Sequence, residues 1–174
     1  NNADKHNAFD DAMDAELFAA LREIRDNPEL RVVLWKGDGK SWSSGRDTGA
    51  LTDRNFDLPH HGLMDRGQKG SLQLLELDIP IICARHGWVM GGSFQRALLC
   101  DIRIATPDTR FRLPELTYGV VPDLGGPARL FQMCGHGVAS DMILTGRVME
   151  ADEALRHGVI SRIVSPETLE ETAQ

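Results

Sequence analysis

The tract from Ile79 to Ser93 constrains this chain most. Ile79-Pro80-Ile81-Ile82-Cys83-Ala84-Arg85 is a short apolar run that ends at Gly87, and Gly91-Gly92-Ser93 then opens a segment carrying Gln95, Ala97, Leu98 and Leu99. A run of that length closed by a glycine turn reads as a buried strand, and the segment after it as a helix. Arg31-Val32-Val33-Leu34-Trp35, closed by Gly37-Asp38-Gly39, has the same form, and Ile102-Arg103-Ile104-Ala105 is a third such run. Ahead of them, Asp10 or Asp11 caps a helix running to about Asn27. Met13, Leu17, Ala20, Leu21 and Ile24 share one face of it, and Pro28 lies just beyond. Strands alternating with helices predict a parallel, layered α/β sheet. The 174 residues suit one domain with a real core.

Residues 48–70 are polar and dotted with glycine, which predicts a long loop or lid beside the site, followed by a helix over about 70–77. Pro127 and Gly135 mark the start and stop of another helix. Two more are expected near 137–145 and 150–157, then a left-handed cap at Gly158 and a strand over 159–164. A net charge of −7 without a Lys/Arg-rich run excludes the basic face that nucleic acid requires. No run of 18 apolar residues exists, and Asn1-Asn2-Ala3-Asp4-Lys5 lacks a signal-peptide core, so membrane partners are not expected. Cys83, Cys100 and Cys134 have no C-x-x-C spacing and sit in apolar runs, which suits reduced, buried thiols and a cytoplasmic location. The chain opens without Met and in a turn, so a preceding segment is expected.

Four segments carry candidate chemistry: Ser43-Ser44-Gly45-Arg46-Asp47, Gly87 to Ser93, Phe111-Arg112-Leu113-Pro114-Glu115, and Gly119 to Gly126. Glycines at a helix start admit a ligand to free N–H groups where the helix dipole favours negative charge, as a developing oxyanion needs. Gly91-Gly92 equally suits close packing of helix on strand. Glu115 and Asp123 each stand beside a proline in apolar surroundings, where burial raises a carboxyl pKa towards that of a working base. Capping of short helices explains the same pairs.

Taken in order, Asn7-Ala8, Lys40 to Asp47, Gly91-Gly92-Ser93-Phe94-Gln95, Cys100 to Ala105, Leu113-Pro114-Glu115 and Leu144-Thr145-Gly146-Arg147 resemble the enoyl-CoA hydratase/isomerase (crotonase) family, collinearly from Asn1 to about Pro166. The resemblance implies a crotonase-like (ClpP/crotonase) α/β spiral of β-β-α units, with two roughly perpendicular sheets and surrounding helices. It implies a core over 1–165 that lacks the family's first strands, with 166–174 starting a C-terminal helical trimerisation region. A homotrimer or dimer of trimers is implied, acting on an acyl-CoA thioester. No resident cofactor or metal is expected, since coenzyme A enters with the substrate. Residue by residue, the oxyanion hole falls on the backbone N–H groups of Arg46 and Gly92. The two carboxylate positions of the hydratases fall on Gln95 and Glu115, and Asp123 matches the acid/base of members that move double bonds. Ser44, Asp47, Gly91 and Trp88 are expected around the substrate.

Gln95 is an amide and carries no proton, whereas known hydratases place glutamate at both positions. Isomerisation of an enoyl- or dienoyl-CoA by Glu115 and Asp123 is therefore expected ahead of hydration. A non-catalytic acyl-CoA binder remains open. So does a serine hydrolase, because Gly91-Gly92-Ser93 resembles a nucleophile elbow, although the closing glycine is absent. His60-His61 in a polar loop reads as solvated rather than metal-binding, and His86, Trp42 and Phe94 read as structural or pocket wall.

Overall fold

The computed structural model describes residues 1–49 and 59–174, without the side chain of His60. Residues 50–58 of the expected loop lie outside the described residues. Helix α1 (Asp11–Arg25) starts where Asp10 accepts a hydrogen bond from the Met13 N–H at 2.8 Å. It is followed by β1 (Val33–Lys36), α2 (His60–Leu72), β2 (Ile81–Arg85), β3 (Trp88–Met90), α3 (Gly91–Leu99), β4 (Ile102–Ala105) and β5 (Arg110–Arg112). Then come α4 (Gly126–Thr145), β6 (Val148–Glu150), α5 (Ala151–Arg156), β7 (Arg162–Ile163) and α6 (Leu169–Ala173).

Two sheets result. The first is fully parallel in the order β1-β2-β4-β7; the second has the order β3-β5-β6, with β3 and β5 parallel and β6 antiparallel to β5. The chain crosses from the first sheet to the second repeatedly: β2 passes into β3 over His86-Gly87, and β4 into β5 over residues 106–109. The segment after β1 does the same, since Ser43 bridges Val89 of β3 in parallel. Successive crossings stack alongside one another, which is the spiral of strand pairs that the resemblance implies. Between the layers lies one main cluster, including Trp42, Cys83, Val89, Phe94, Phe111, Leu130 and Met142. Cys83 and Cys100 are buried, and all three cysteines are free. Helix α6 packs on the outer side of the first sheet through Ala173, against Ala84 and Ile104.

The differences from expectation have physical causes. Helix α2 occupies much of the expected loop, despite Gly62, Gly67 and Gly70, because tertiary packing overrides propensity. A Cβ on Gly70 would stand 2.2 Å from the Phe18 ring, so glycine there admits that ring. The expected helix over 70–77 is the end of α2 and a 3-10 turn, Gln73–Glu76. The helices separated at Gly135 run on as α4 with a kink at that residue, φ 75° and ψ 173°. Strands β3, β5 and β6 have three residues each, too short to carry a period. The run expected as a strand over 159–164 pairs only at Arg162–Ile163 because Val159 and Ile160 turn their N–H groups back to the Ala154 carbonyl. On α1, Asp14 shares the buried face with Phe18 and Leu21, while Ala20 faces outward.

Candidate active site

Two glycine turns meet at the end of β3. Gly45 has φ 91°, and a Cβ there would lie 2.8 Å from the Met90 carbonyl oxygen, so only glycine brings this turn against the start of α3. Arg46 follows in a parallel bridge with Phe9, in which the Phe9 N–H donates to the Gly45 carbonyl at 2.8 Å and the Asp47 N–H to the Phe9 carbonyl at 2.9 Å. That pairing uses the groups flanking Arg46 and turns its own N–H away from Phe9. Gly92 is the second residue of α3, whose N-cap Met90 offers no side-chain cap, so its N–H is one of the helix's unpaired donors. Among the described residues, neither N–H has an acceptor, and both residues line one cavity of about 220 Å³.

The carboxylates line the same cavity. Glu115 begins a 3-10 turn, Glu115–Tyr118, and Asp123 follows on the same loop; both line the cavity. Gln95, on α3, is fixed at both ends of its amide. Its Oε1 accepts from the N–H of Leu124 at 2.8 Å and of Gly126 at 3.3 Å, and its Nε2 donates to Glu115 Oε1 at 2.9 Å. A Cβ on Gly126 would fall 2.4 Å from Gln95 Cγ, so glycine at this helix start is what lets the amide in. Glu115 Oε2 is buried and has no partner among the described residues. Burial pushes the Glu115 carboxyl above its ordinary value, and the charge of Asp123 adds to this; its own backbone N–H and Gln95 oppose it. Arg112 and Arg129, the cations nearest in sequence, turn instead to the carbonyl of Gly146 and to Gln132. The result is a carboxylate with one oxygen held, the other without a partner among the described residues, and a raised proton affinity, on a cavity that two N–H donors also line.

Chain positions that sequence reasoning missed also line the cavity. Gln68 Nε2, on α2 beside lining residues Leu63, Met64 and Gly67, donates to Asp123 Oδ2 at 3.3 Å. Asp14, Arg96 and Phe9 form the wall under the Arg46 turn. A carboxylate within the apolar stripe of α1 and an arginine just before Ala97-Leu98-Leu99 were visible signals of that wall. Ser44, Asp47 and Trp88 are not brought to the cavity. Ser44 donates its N–H to the His6 carbonyl, Asp47 pairs with Lys5 at 2.8 Å, and Trp88 packs under the Arg110 guanidinium at 5.6 Å. Gly91 lies beside Glu115 but outside the lining. Trp42 and Phe94 belong to the core, and His86 Nε2 meets the Gly39 carbonyl at 2.9 Å. Ser93 is 1% exposed, and its hydroxyl is bonded to Ser43 at 2.7 Å. Ser43 itself donates to the Asn7 carbonyl, so the Ser93 proton is given to Ser43. Among the described residues no histidine is bonded to Ser93 and no cluster of three or more His, Cys, Asp or Glu could hold a metal.

Residues 1–174 match the family model described as enoyl-CoA hydratase/isomerase. The chain belongs to the enoyl-CoA hydratase/isomerase family. It is 37% identical over 171 residues to a carnitinyl-CoA dehydratase from Salmonella typhimurium and 36% identical over 171 residues to one from Citrobacter koseri. Each alignment covers 98% of this chain and 65% of the relative, so the chain spans about two thirds of these relatives' length. Among solved structures, an enoyl-CoA hydratase from Bacillus anthracis superposes with a TM-score of 0.89 at 29% identity, covering 98% of this chain and 66% of the other. One from Mycobacterium smegmatis gives 0.91 at 26%, covering 99% and 66%. The crotonase-like fold expected from the sequence is thus the fold of this family member.

Proposed function

We propose that this chain binds an enoyl- or dienoyl-CoA thioester and shifts its double bond through a thioester enolate. The observation that carries the reading is the state of Gln95: an amide tied at both ends, beside a Glu115 whose Oε2 is buried and has no partner among the described residues. In this scheme the N–H groups of Arg46 and Gly92 donate to the thioester oxygen, which acidifies the adjacent carbons and holds the charge as it develops. Glu115 Oε2 removes a proton from one carbon, the electron pair moves into the carbonyl to form the conjugated enolate, and a proton returns at a carbon two positions along as the carbonyl re-forms. Asp123, on the same cavity, supplies or takes the proton at the distal carbon. No water adds and no redox step occurs, and coenzyme A enters only as part of the substrate. A homotrimer or dimer of trimers belongs to the same proposal.

A second reading, hydration or dehydration, is favoured by the carnitinyl-CoA dehydratases among the relatives. In it Gln95 orients a water held by Glu115. Liquid chromatography with mass spectrometry of products from a panel of 2-enoyl-, 3-enoyl-, 2,5-dienoyl- and 3-hydroxyacyl-CoA thioesters separates the two, because isomerisation gives a new peak of unchanged mass, whereas hydration adds a water and dehydration removes one. The proposal expects a 3-enoyl or dienoyl substrate to turn over fastest. Faster hydration of any 2-enoyl-CoA replaces it with the second reading, and binding without turnover reduces it to an acyl-CoA binder.

A further inference from the structure

Asp14 lies on the buried face of α1, 7% exposed, and each of its oxygens is committed to a different arginine. Oδ2 accepts from Arg46 Nη1 at 3.0 Å and Oδ1 from Arg96 Nη2 at 2.7 Å. These arginines belong to the two elements that carry the candidate oxyanion donors. Arg46 bears one donor on its own backbone. Arg96 stands four residues, about one helical turn, after Gly92 on α3. The frame is closed by further contacts: Arg46 Nη2 bonds Asp11, three residues before Asp14 on α1, and Arg96 Nε donates to Ser71 Oγ at 3.0 Å. The Arg96 guanidinium also lies 4.7 Å from the ring of Phe9, the residue whose backbone brackets Arg46. Charge-assisted bonds are short, directional and strong away from water. A single carboxylate with both oxygens engaged therefore fixes one arginine relative to the other.

We infer that Asp14 is a positioning residue that sets the spacing of the Arg46 and Gly92 N–H groups by bridging Arg46 to Arg96. This rests on the reading of those N–H groups as the oxyanion hole. In this scheme Glu115 and Asp123 carry the proton, and Asp14, with both oxygens committed to arginines, acts through the turn and the helix it joins. Asn at this position keeps the shape, but its amide oxygen serves one arginine while its NH₂ faces the other. A displaced donor weakens polarisation of the thioester carbonyl without abolishing binding.

The test uses 4-dimethylaminocinnamoyl-CoA, whose absorption moves to the red when its carbonyl is polarised, alongside steady-state kinetics on the best panel substrate. Wild type should bind the probe with a red shift. If it binds without one, the oxyanion reading itself fails, whatever Asp14 does. With the shift present, Asp14→Asn should bind the probe nearly as well, show a diminished shift, and lose roughly 10- to 100-fold in kcat with KM little changed, the scale of a misplaced catalytic group. Asp14→Glu, which keeps both acceptors, should recover part of the shift. Arg46→Met, in a partly exposed turn, keeps its backbone N–H and apolar stem while cutting the same tie, so it decides the matter should Asp14→Asn fail to fold. A folded Asp14→Asn or Arg46→Met variant with the full red shift and wild-type kcat overturns the inference.

Discussion

The two walls of the cavity are built on opposite plans. The wall with Arg46 and Gly92 uses main-chain donors, on a turn bridged to β3 and at the start of α3, with Ser43, Val89 and Phe94 almost fully buried around them. The wall with Glu115 and Asp123 uses side chains on an irregular loop, where Leu116, Tyr118, Val120 and Val121 are exposed, and each carboxylate is steadied by a glutamine. The difference follows from the work proposed for each. Donors to an oxyanion act through direction and distance, which rigid backbone supplies. A base acts through proton affinity, which burial and neighbouring charge supply and which a side chain can exchange.

Breaking the side-chain wall should have the largest effect. Glu115→Gln should lose about 10²–10⁴-fold in isomerisation rate, the worth of a positioned base, while still binding acyl-CoA by direct titration. On the main-chain wall, Gly92→Pro deletes one N–H and should lose about 10²–10³-fold in kcat. Gly92→Ala keeps the N–H and brings a Cβ 3.2 Å from Leu124 Cδ1, so it should lose far less. A folded Gly92→Pro variant with the wild-type rate removes the main-chain half of the comparison. Next, Asp123→Asn should lose roughly 10²-fold on dienoyl substrates. If every isomerase rate survives that change, Asp123 only steadies the loop and Glu115 works as a lone base.

The two walls were also unequally legible. Gly91-Gly92 after an apolar run announces a strand entering a helix, and that part of the fold needs no distant partner to be read. That the first sheet is parallel likewise follows from short runs separated by helices, although its strand order does not. Strands β3, β5 and β6 were not readable, because three residues paired in the second sheet depend on neighbours far away in sequence. In the site, Glu115, Asp123 and Gln95 were found by type and resemblance, and the cavity gathers them. What Gln95 does was not readable, because its role comes from the Leu124 and Gly126 N–H groups that the start of α4 brings to it. Gln68 was hidden in a glycine-dotted stretch that reads as loop, and Asp14 and Arg96 give charge only in places where apolar residues are expected.

The smallest effects sharpen the comparison most, because they tune the base without removing it. The rate kcat/KM should rise with pH as Glu115 ionises, and burial places that limb above the ordinary carboxyl value of 4.5. Gln95 donates to the ionised form and so lowers this pKa; Gln95→Leu should move the limb to higher pH. Asp123 raises the pKa by its charge, so Asp123→Asn should move the limb to lower pH in whatever activity remains. Gln95→Glu sets a second carboxyl against Glu115 Oε1, where both cannot be charged together. The pair should titrate as a unit, with its upper step above the wild-type limb, and hydration should rise with the second titratable group. The same pKa has a consequence for stability. A carboxyl whose folded pKa lies above its unfolded value contributes stability below the unfolded pKa and loses it as pH rises through the folded pKa. Ionised Glu115 therefore weakens the fold at neutral pH, and Glu115→Gln should raise Tm at pH 7 but not at pH 4. Melts at the two pH values check this. An equal Tm change at both would mean that packing, not charge, separates the two side chains, and that Glu115 is less desolvated than a base tuned by burial requires.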